Sequence, residues 1–148
     1  MRISAKGEYA IKAMLDLALA EGAGLRPIQD IAARQDIPQR YLEQVLLGLT
    51  RAGLLVSKRG SAGGYRLART ADQVTVGDVL RAVEGSVNGL EPVRRGRGRV
   101  GRDPAADLSE LWREIDEAVS GVIDRVTFDE LRKRAEERRS VARPMYHI

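Results

Sequence analysis

The spacing of apolar residues changes at Gly53, and no other feature of the sequence constrains the fold as strongly. Before Gly53, apolar residues recur at helical spacing in three segments, at about residues 9–20, 27–35 and 38–52. After it, LLVSKR and YRLAR show the alternating or continuous apolar pattern of strands, and GSAGG separates them. Two short strands joined by a glycine-rich turn form a β-hairpin. The chain is therefore predicted to form helices up to Gly53 and a hairpin after it.

A tight turn and a fourth helix complete the first half of the chain. Asp36 and Ile37 form a short connection between the second and third helices, and Thr75 with Asp78 forms a capping box that starts the fourth. A short helix, a tight turn, a helix and a hairpin occur in this order in a winged helix-turn-helix domain. The predicted fold class is therefore mainly α with a small β-hairpin. We assign residues 1–85 to this domain.

An Arg/Gly-rich stretch separates this domain from the longest apolar stripe in the sequence. Residues 86–106 are predicted to be a flexible linker, which is either a solvated connection or a source of further phosphate contacts. Asp107 and Glu110 form a second predicted capping box. The stripe that follows lies outside the compact first half, so its apolar face requires a partner. It is predicted to be a dimerisation helix with its contacts at Leu108, Leu111, Trp112, Ile115, Val119, Val122, Ile123 and Val126.

A last helix and a tail end the chain. Thr127 and Glu130 are predicted to cap this helix, which ends in the charged run RKRAEERRSVAR. Residues 107–138 therefore comprise the dimerisation helix and the final helix, and residues 139–148 are assigned to a C-terminal tail.

Charge and composition limit the classes of function. Residues 1–70 contain eleven Lys or Arg against six Asp or Glu, a basic excess that suits a polyanionic partner. The chain has no Cys, which excludes disulfides and thiolate chemistry. Lys12 and Asp16 interrupt the apolar N-terminus, so no signal peptide is predicted, and no segment is apolar enough to span a membrane. A cytoplasmic protein with no membrane contact is expected.

One face of the third helix carries side chains suited to reading DNA. At about 100° per residue, its apolar residues cluster on one side and its polar residues on another. Gln can pair with adenine, Glu with cytosine, and Arg with guanine or phosphate. The alternative is an ordinary solvated helix face. We predict that double-stranded DNA contacts Gln39, Arg40, Glu43 and Gln44.

The hairpin carries a second candidate contact. SKRGSAGGY places Lys58, Arg59 and Gly60 at the tip, where the glycines permit a tight turn and a close approach of the backbone. An arginine at such a tip can enter a narrow A·T-rich minor groove, which concentrates negative potential. A charged, solvent-exposed turn is the alternative. The occurrence of helix and hairpin together favours DNA binding.

Three segments resemble the Rrf2 family of bacterial regulators: MRISAKGEYAIKAMLDLA, DIAARQDIPQRYLEQVLLGLTRAGLLVSKRGSAGGYRLAR and VTVGDVLRAVEG. The similarity covers about residues 1–85, and YLEQ, the RGxxGGY wing and the GDV helix are its most specific parts. The resemblance implies that the YLEQ helix reads the major groove, the wing arginine the minor groove, and the long helix forms a homodimer. It adds Tyr41 to the residues that contact DNA.

The sequence departs from the family pattern in its sensor segment. Many members carry three cysteines after the fourth helix and bind an iron-sulfur cluster there, whereas this chain has GSVNGLEPVRRGRGRVGRDPAAD at that place. Its one histidine, His147, supplies one ligand where a structural zinc site needs four. We therefore predict no cluster, no metal site and no other cofactor.

The C-terminus resembles the cysteine metabolism repressor subgroup of the family. PMYHI ends in a free Ile carboxylate, similar to the C-terminal Ile of serine acetyltransferase, which enters the active site of cysteine synthase. The resemblance implies that cysteine synthase binds Met145, Tyr146, His147 and Ile148, with precursors such as O-acetylserine tuning the complex. Alternatively, this tail packs on the protein itself or has no fixed structure.

The leading hypothesis is that the protein is a dimeric, sequence-specific transcriptional regulator. A more specific version is that it represses genes of cysteine or sulfur metabolism. Its two recognition helices would meet a pseudo-palindromic operator with half-sites about 34 Å apart. The alternative is an adaptor protein that binds DNA without sequence preference. An enzyme is not expected, because the sequence shows no phosphate loop and no paired carboxylates in an evident pocket.

Overall fold

The computed structural model describes residues 3–84 and 106–142. Within these ranges the fold is mainly helical and has one antiparallel hairpin, which confirms the predicted fold class. The strands are β1 (Leu55–Lys58) and β2 (Gly64–Leu67). The helices are α1 (Ala5–Leu19), α2 (Ile28–Gln35), α3 (Gln39–Arg51), α4 (Val76–Glu84), α5 (Ala106–Ile123) and α6 (Phe128–Ala142). No helix in the described ranges is long and apolar enough to cross a bilayer.

Helix α1 begins one turn earlier than its apolar spacing predicts. Ser4 is the N-cap, and its hydroxyl accepts a hydrogen bond from the backbone N–H of Gly7 at 3.1 Å. The helix buries Ala10, Met14 and Leu17 in the common core. The apolar pattern underestimates the helix because its first turn is held by this polar cap.

The helix-turn-helix forms as its sequence predicts. Asp36 ends α2 in the left-handed conformation, with φ 52°, and the backbone N–H of the buried Ile37 donates to the carbonyl of Ala32. Pro38 is the N-cap of α3. The apolar side of α3 is buried through Leu42, Val45, Leu46 and Leu49. The opposite side of the helix is therefore available for contacts with other molecules.

The hairpin is extended by a short backbone pairing with the loop before α2. In its register Leu55 is opposite Leu67, and Lys58 is opposite Gly64. Arg26 and Tyr65 exchange two backbone hydrogen bonds, each 2.8 Å long. Leu54, Leu55 and Leu67 are buried in the core. The base of the hairpin is thus attached both to the helical core and to the loop that contains Arg26.

The chain returns to the first domain after α5. The backbone N–H of Val76 donates to the carbonyl of Val126 at 2.9 Å, and the N–H of Phe128 donates to the carbonyl of Val74 at 3.0 Å. Phe128 is fully buried in the core of the first domain, and Leu131 of α6 packs against it. The sequence did not predict this role for Phe128, because apolar spacing within one segment does not reveal contacts with a distant segment.

One predicted capping box forms in full, and a second forms only through the hydroxyl of its N-cap residue, Thr127. Thr75 and Asp78 exchange side-chain to backbone hydrogen bonds of 3.0 and 3.1 Å at the start of α4, and the N–H of Glu130 donates to Thr127 Oγ1. Helix α5 instead begins at Ala106, so Asp107 lies inside the helix rather than before it.

Two further boundaries differ from the sequence prediction. Val126, assigned to the dimerisation helix, lies beyond its end at Ile123, because residues 126 and 127 pair through their backbone with residues 74–76 at the start of α4. Helix α6 continues to Ala142, into the predicted tail 139–148. The predicted division into domains otherwise remains a prediction, and the greater part of the linker 86–106 lies outside the described residues.

Candidate nucleic-acid interface

The exposed side of α3 presents a row of polar side chains. They are exposed to solvent, and none forms a side-chain hydrogen bond or ion pair with another described residue: Gln39, Arg40, Tyr41, Glu43 and Gln44. Because the buried leucines anchor the other side of α3 to the core, the backbone beneath these groups is rigid. The structure therefore places all five predicted reading residues on the accessible part of one helix.

An ion pair between α1 and α2 holds the helix-turn-helix in place. Arg34 donates from Nε and Nη2 to the two carboxylate oxygens of Asp16, both at 2.8 Å, and Gln35 Nε2 donates to Asp16 Oδ1 at 3.2 Å. Asp16 is only 5% exposed. The hydrogen bonds with Asp16 raise the pKa of Arg34 above its ordinary value. This pair orients α2, and through the short turn it also orients the start of α3.

The wing depends on a glycine that no other residue can replace without distortion. A Cβ atom at Gly63 would lie 2.1 Å from the carbonyl oxygen of Lys58 and 2.9 Å from that of Gly60. The backbone N–H of Gly63 also donates to the Gly60 carbonyl at 3.0 Å. At the tip, Lys58, Arg59 and Gly60 are exposed, and neither cation has a carboxylate partner among the described residues. The wing thus carries two free positive charges on a tightly folded turn.

The structure adds residues that the sequence did not single out. A cleft of about 410 Å³ lies beside the exposed polar side of α3, which we call the reading face. It is lined by Lys6 and Tyr9 of α1 and by Tyr41 and Gln44 of α3. Lys6 was missed because the apolar pattern placed the start of α1 at Tyr9. The N-cap signal of Ser4 would have extended the helix to include Lys6. Lys6 is an exposed cation beside α3, and such a group is suited to contacts with phosphate.

Glu84, at the end of α4, contacts the beginning of α1. Its Oε1 accepts hydrogen bonds from the backbone N–H of Ser4, at 3.2 Å, and from the Ser4 hydroxyl. A carboxylate at the N-terminus of a helix interacts favourably with the helix dipole. Glu84 is also the last described residue before residue 106. The end of α4 is thus directly connected to the start of the helix that lines the reading face.

The long helix α5 leaves much of its apolar stripe uncovered. Leu108, Leu111 and Val122 are 45%, 44% and 51% exposed. The other helical members of the stripe are half-buried: Trp112, Ile115, Val119 and Ile123. A row of exposed large apolar side chains on one helix indicates a contact surface for another molecule.

The chemistry of the chain does not fit an iron-sulfur cluster. The sequence contains no cysteine, and the described residues contain no group of three or more His, Asp or Glu side chains that could hold a metal ion. His147 and the other predicted tail residues, Met145, Tyr146 and Ile148, lie outside the described residues. A cluster held by thiolates therefore has no ligands in this chain.

Comparison with known proteins identifies relatives over most of the chain. Residues 3–134 match the model of the Rrf2 family, described as an iron-dependent transcriptional regulator. The HTH-type transcriptional regulators IscR of Cronobacter sakazakii and of Escherichia coli are each 40% identical over 131 residues. In both cases the similarity covers 88% of this chain and 80% of the relative.

Two solved structures share the fold at a similar level of identity. The global cysteine regulator CymR of B. subtilis is 35% identical, with a TM-score of 0.72, over 90% of this chain and 97% of that one. IscR of T. potens is 34% identical, with a TM-score of 0.76, over 93% of this chain and 90% of that one. The relatives named by function are regulators of transcription and not enzymes.

Proposed function

Because the chain belongs to the Rrf2 family of winged helix-turn-helix transcriptional regulators, we propose that it binds a specific operator through α3 and the wing. The reading residues of this proposal are Gln39, Arg40, Tyr41, Glu43 and Gln44 on α3, with Lys58, Arg59 and Gly60 on the wing. The observation that carries it is the exposed polar side of α3, whose groups have no partner among the described residues. Such groups can exchange water for base edges without breaking contacts within the protein.

The charges of the two elements suggest different tasks. Arg40 and Gln44 carry donors suited to guanine and adenine in the major groove. Glu43 is repelled by phosphates, so its contribution would be discrimination, by accepting from cytosine N4, rather than affinity. Arg59 on the wing suits the minor groove, where narrow A·T-rich segments attract a guanidinium. The cytoplasm, where the chromosome lies in bacteria, is the expected location.

The protein acts as a homodimer in this proposal. The exposed stripe on α5 supports a second copy of the chain as its partner, since a self-complementary apolar face is the usual basis of a twofold interface. Two copies of α3 would then reach half-sites about 34 Å apart on a pseudo-palindromic operator.

Operator selection followed by variant binding tests this proposal. An operator is selected from random duplexes, and its affinity for the wild type and for Arg40→Ala, Gln44→Ala and Arg59→Ala is measured at fixed salt. The α3 variants should discriminate less between bases, by about 1–3 kcal/mol at one position, and Arg59→Ala should bind A·T-rich flanks more weakly. Arg125→Ala removes an exposed arginine outside the interface and serves as the control. Unchanged affinity and base preference in all three variants would contradict the assignment.

The finer proposal is that the protein represses genes of cysteine metabolism through a contact of its tail with cysteine synthase. It is supported by the PMYHI segment and by the similarity to a structure named as a global cysteine regulator. Pull-down of cysteine synthase with the full chain and with a chain lacking Tyr146–Ile148 tests the contact, with and without O-acetylserine. Equal recovery by both chains contradicts it. Mapping of bound genomic sites tests the pathway, since sulfur-assimilation promoters are expected.

An adaptor function remains the second candidate, favoured by the acidic Glu43 on the face that would approach DNA. Binding that falls steeply with salt, but is equal for the selected operator and scrambled duplexes, would identify this function. A specific regulator should instead keep a preference of about a thousandfold or more for its operator.

A further inference from the structure

A cleft of about 410 Å³ lies at the base of the wing, between the end of α1 and the segment that follows β2. Three arginines line it: Arg26 from the loop before α2, and Arg66 and Arg69 from β2 and the residues after it. Leu67 contributes to an apolar part of the wall. The volume lies in the range of small-molecule sites, which are typically 300–1,000 Å³.

The charges in the cleft are not balanced within the protein. Glu21 is its one acidic lining residue, and Glu21 Oε1 accepts a hydrogen bond from the backbone N–H of Ala71 at 3.2 Å. None of the three arginines forms an ion pair with a described carboxylate. Arg26 Nε is shielded from solvent and has no hydrogen-bond partner among the described residues. A buried guanidinium donor without a partner is unfavourable, and an anionic oxygen would satisfy Arg26 Nε. Arg66 and Arg69 are exposed, and Arg66 Nη1 donates to the backbone carbonyl of Leu67 at 3.2 Å, which leaves its other donors free for a ligand.

The cleft is distinct from the surface proposed to read DNA. Lys6 and Tyr9, near the start of α1, lie beside Tyr41 of α3, whereas Leu17, near the end of α1, lines the arginine cleft. Lys6 and Leu17 are eleven residues apart in one helix, which corresponds to about 16 Å at 1.5 Å per residue. A ligand in the cleft would therefore act from a distance rather than by covering the reading face.

We propose that this cleft binds a small anion with a carboxylate or other oxyanion group, and that its binding changes the affinity of the wing for DNA. The backbone of Arg26 is paired with Tyr65 of β2, and β2 is paired with β1, which leads to Lys58 and Arg59. A ligand that fixes Arg26 and Arg66 together would order this hairpin. The cleft then gives a chain without cluster ligands another means of sensing a metabolite.

Calorimetric titration of the full chain tests the binding step without DNA. Inorganic phosphate and succinate are the probes, each compared with chloride at equal ionic strength. At least one should bind saturably at one site per chain, and Arg66→Gln and Arg69→Gln should each weaken it about tenfold. Arg125→Gln, which removes an exposed arginine elsewhere, should bind as the wild type does. No saturable binding up to about 10 mM, or equal binding by the cleft variants, overturns the proposal.

Operator binding distinguishes a free anion from a DNA phosphate as the source of the anionic oxygens. Without added anion, Arg66→Gln and Arg69→Gln should bind the operator as tightly as the wild type does. When the anion that binds in the calorimetric titration is added, operator affinity should change in the wild type and in Arg125→Gln but not in the two cleft variants. Weaker operator binding with a salt slope reduced by about one would assign the cleft to the DNA interface instead. Anion binding without any change in operator affinity overturns the coupling to the wing. This coupling rests on the proposed DNA-binding function, whereas the calorimetric result does not.

Discussion

Arg81 of α4 binds both carboxylate oxygens of Asp124, the residue that follows α5, with Nη1 to Oδ1 at 2.5 Å and Nη2 to Oδ2 at 2.8 Å. The pair joins the winged domain to the end of the proposed dimerisation helix. Gly77 makes room for it, because a Cβ atom there would lie 2.0 Å from Asp124 Oδ1. Steric space for the Asp124 carboxylate therefore explains the glycine of the GDV sequence, and no pattern within that segment reveals this requirement.

Replacing Gly77 by Ala should therefore have different effects on stability in two backgrounds. In the wild type the added methyl group displaces Asp124 from Arg81, which offsets the gain in helix propensity. In the Asp124→Ala background the same change should stabilise the fold by about 0.5–1 kcal/mol, because alanine is the better helix former. Urea unfolding of the four proteins measures the difference. If Gly77→Ala changed the free energy of unfolding equally in both backgrounds, Gly77 would not be required to make room for the Arg81–Asp124 pair.

The same pair predicts a contribution to stability that depends on pH. The hydrogen bond from Arg81 lowers the pKa of Asp124 below its ordinary value. A lowered pKa in the folded state stabilises the fold above the unfolded-state pKa, and this stabilisation is lost as the pH falls through the folded-state pKa. Asp124→Asn should therefore destabilise the protein at pH 7, and the difference from the wild type should shrink towards pH 3.

The pH effect has a matched control in the partner residue. In an Arg81→Gln background, Asp124→Asn should change the urea midpoint by the same small amount at both pH values. Because both side chains are about half exposed, the effect at pH 7 should be below about 1 kcal/mol. A loss that grows as the pH falls would reverse the expected sign and refute the linkage.

The two partners of the Arg34–Asp16 pair should differ in their cost when removed. Arg34→Ala leaves the carboxylate of Asp16 buried with Gln35 as its remaining partner, and we expect a loss of about 3 kcal/mol. Asp16→Asn leaves Arg34, which is 41% exposed, able to bind water, so a loss of about 1–2 kcal/mol is expected. Denaturant unfolding compares them. A larger loss for Asp16→Asn would contradict this assignment of burial.

On the wing, Gly63→Ala should weaken operator binding more than it weakens the fold. The new methyl group would lie 2.1 Å from the Lys58 carbonyl oxygen, so the turn must open and move Arg59. We expect a loss of about tenfold or more in affinity, comparable to removing one good base contact, with a change in Tm of no more than a few degrees. Ser61→Ala, an exposed change in the same turn, is the control. If Gly63→Ala bound the operator with wild-type affinity, the geometry of this turn would not matter for DNA binding, and the prediction would be wrong.

A charge within the α5 stripe should separate the two subunits. Leu111 is exposed in the single chain but would be buried in the proposed dimer. Leu111→Glu places a carboxylate at this position, so the dimer should dissociate while the monomer stays folded. Sedimentation velocity and circular dichroism measure these two properties. Glu117→Lys changes the charge on the opposite side of the helix and should leave the dimer intact. Dimers of unchanged stability in Leu111→Glu would exclude this face as the interface.

Local patterns in the sequence predicted much of the fold and of the candidate site. The helix-turn-helix, the hairpin and the Thr75–Asp78 cap follow from spacing and from side chains within a few residues of one another, and such interactions act before any tertiary contact exists. The exposed row on α3 follows equally from its helical period. These features were therefore predictable from short windows of sequence.

Tertiary structure decided the features that join distant segments. Phe128, the only phenylalanine in the chain, enters the core of the first domain, and Val126 leaves its helix to pair with Val76. The arginine cleft likewise combines the loop at Arg26 with β2. These contacts form between segments that are about forty or more residues apart in the chain, and their free energy depends on which surfaces pack together in the folded protein. The spacing of residues within one segment contains no information about that packing.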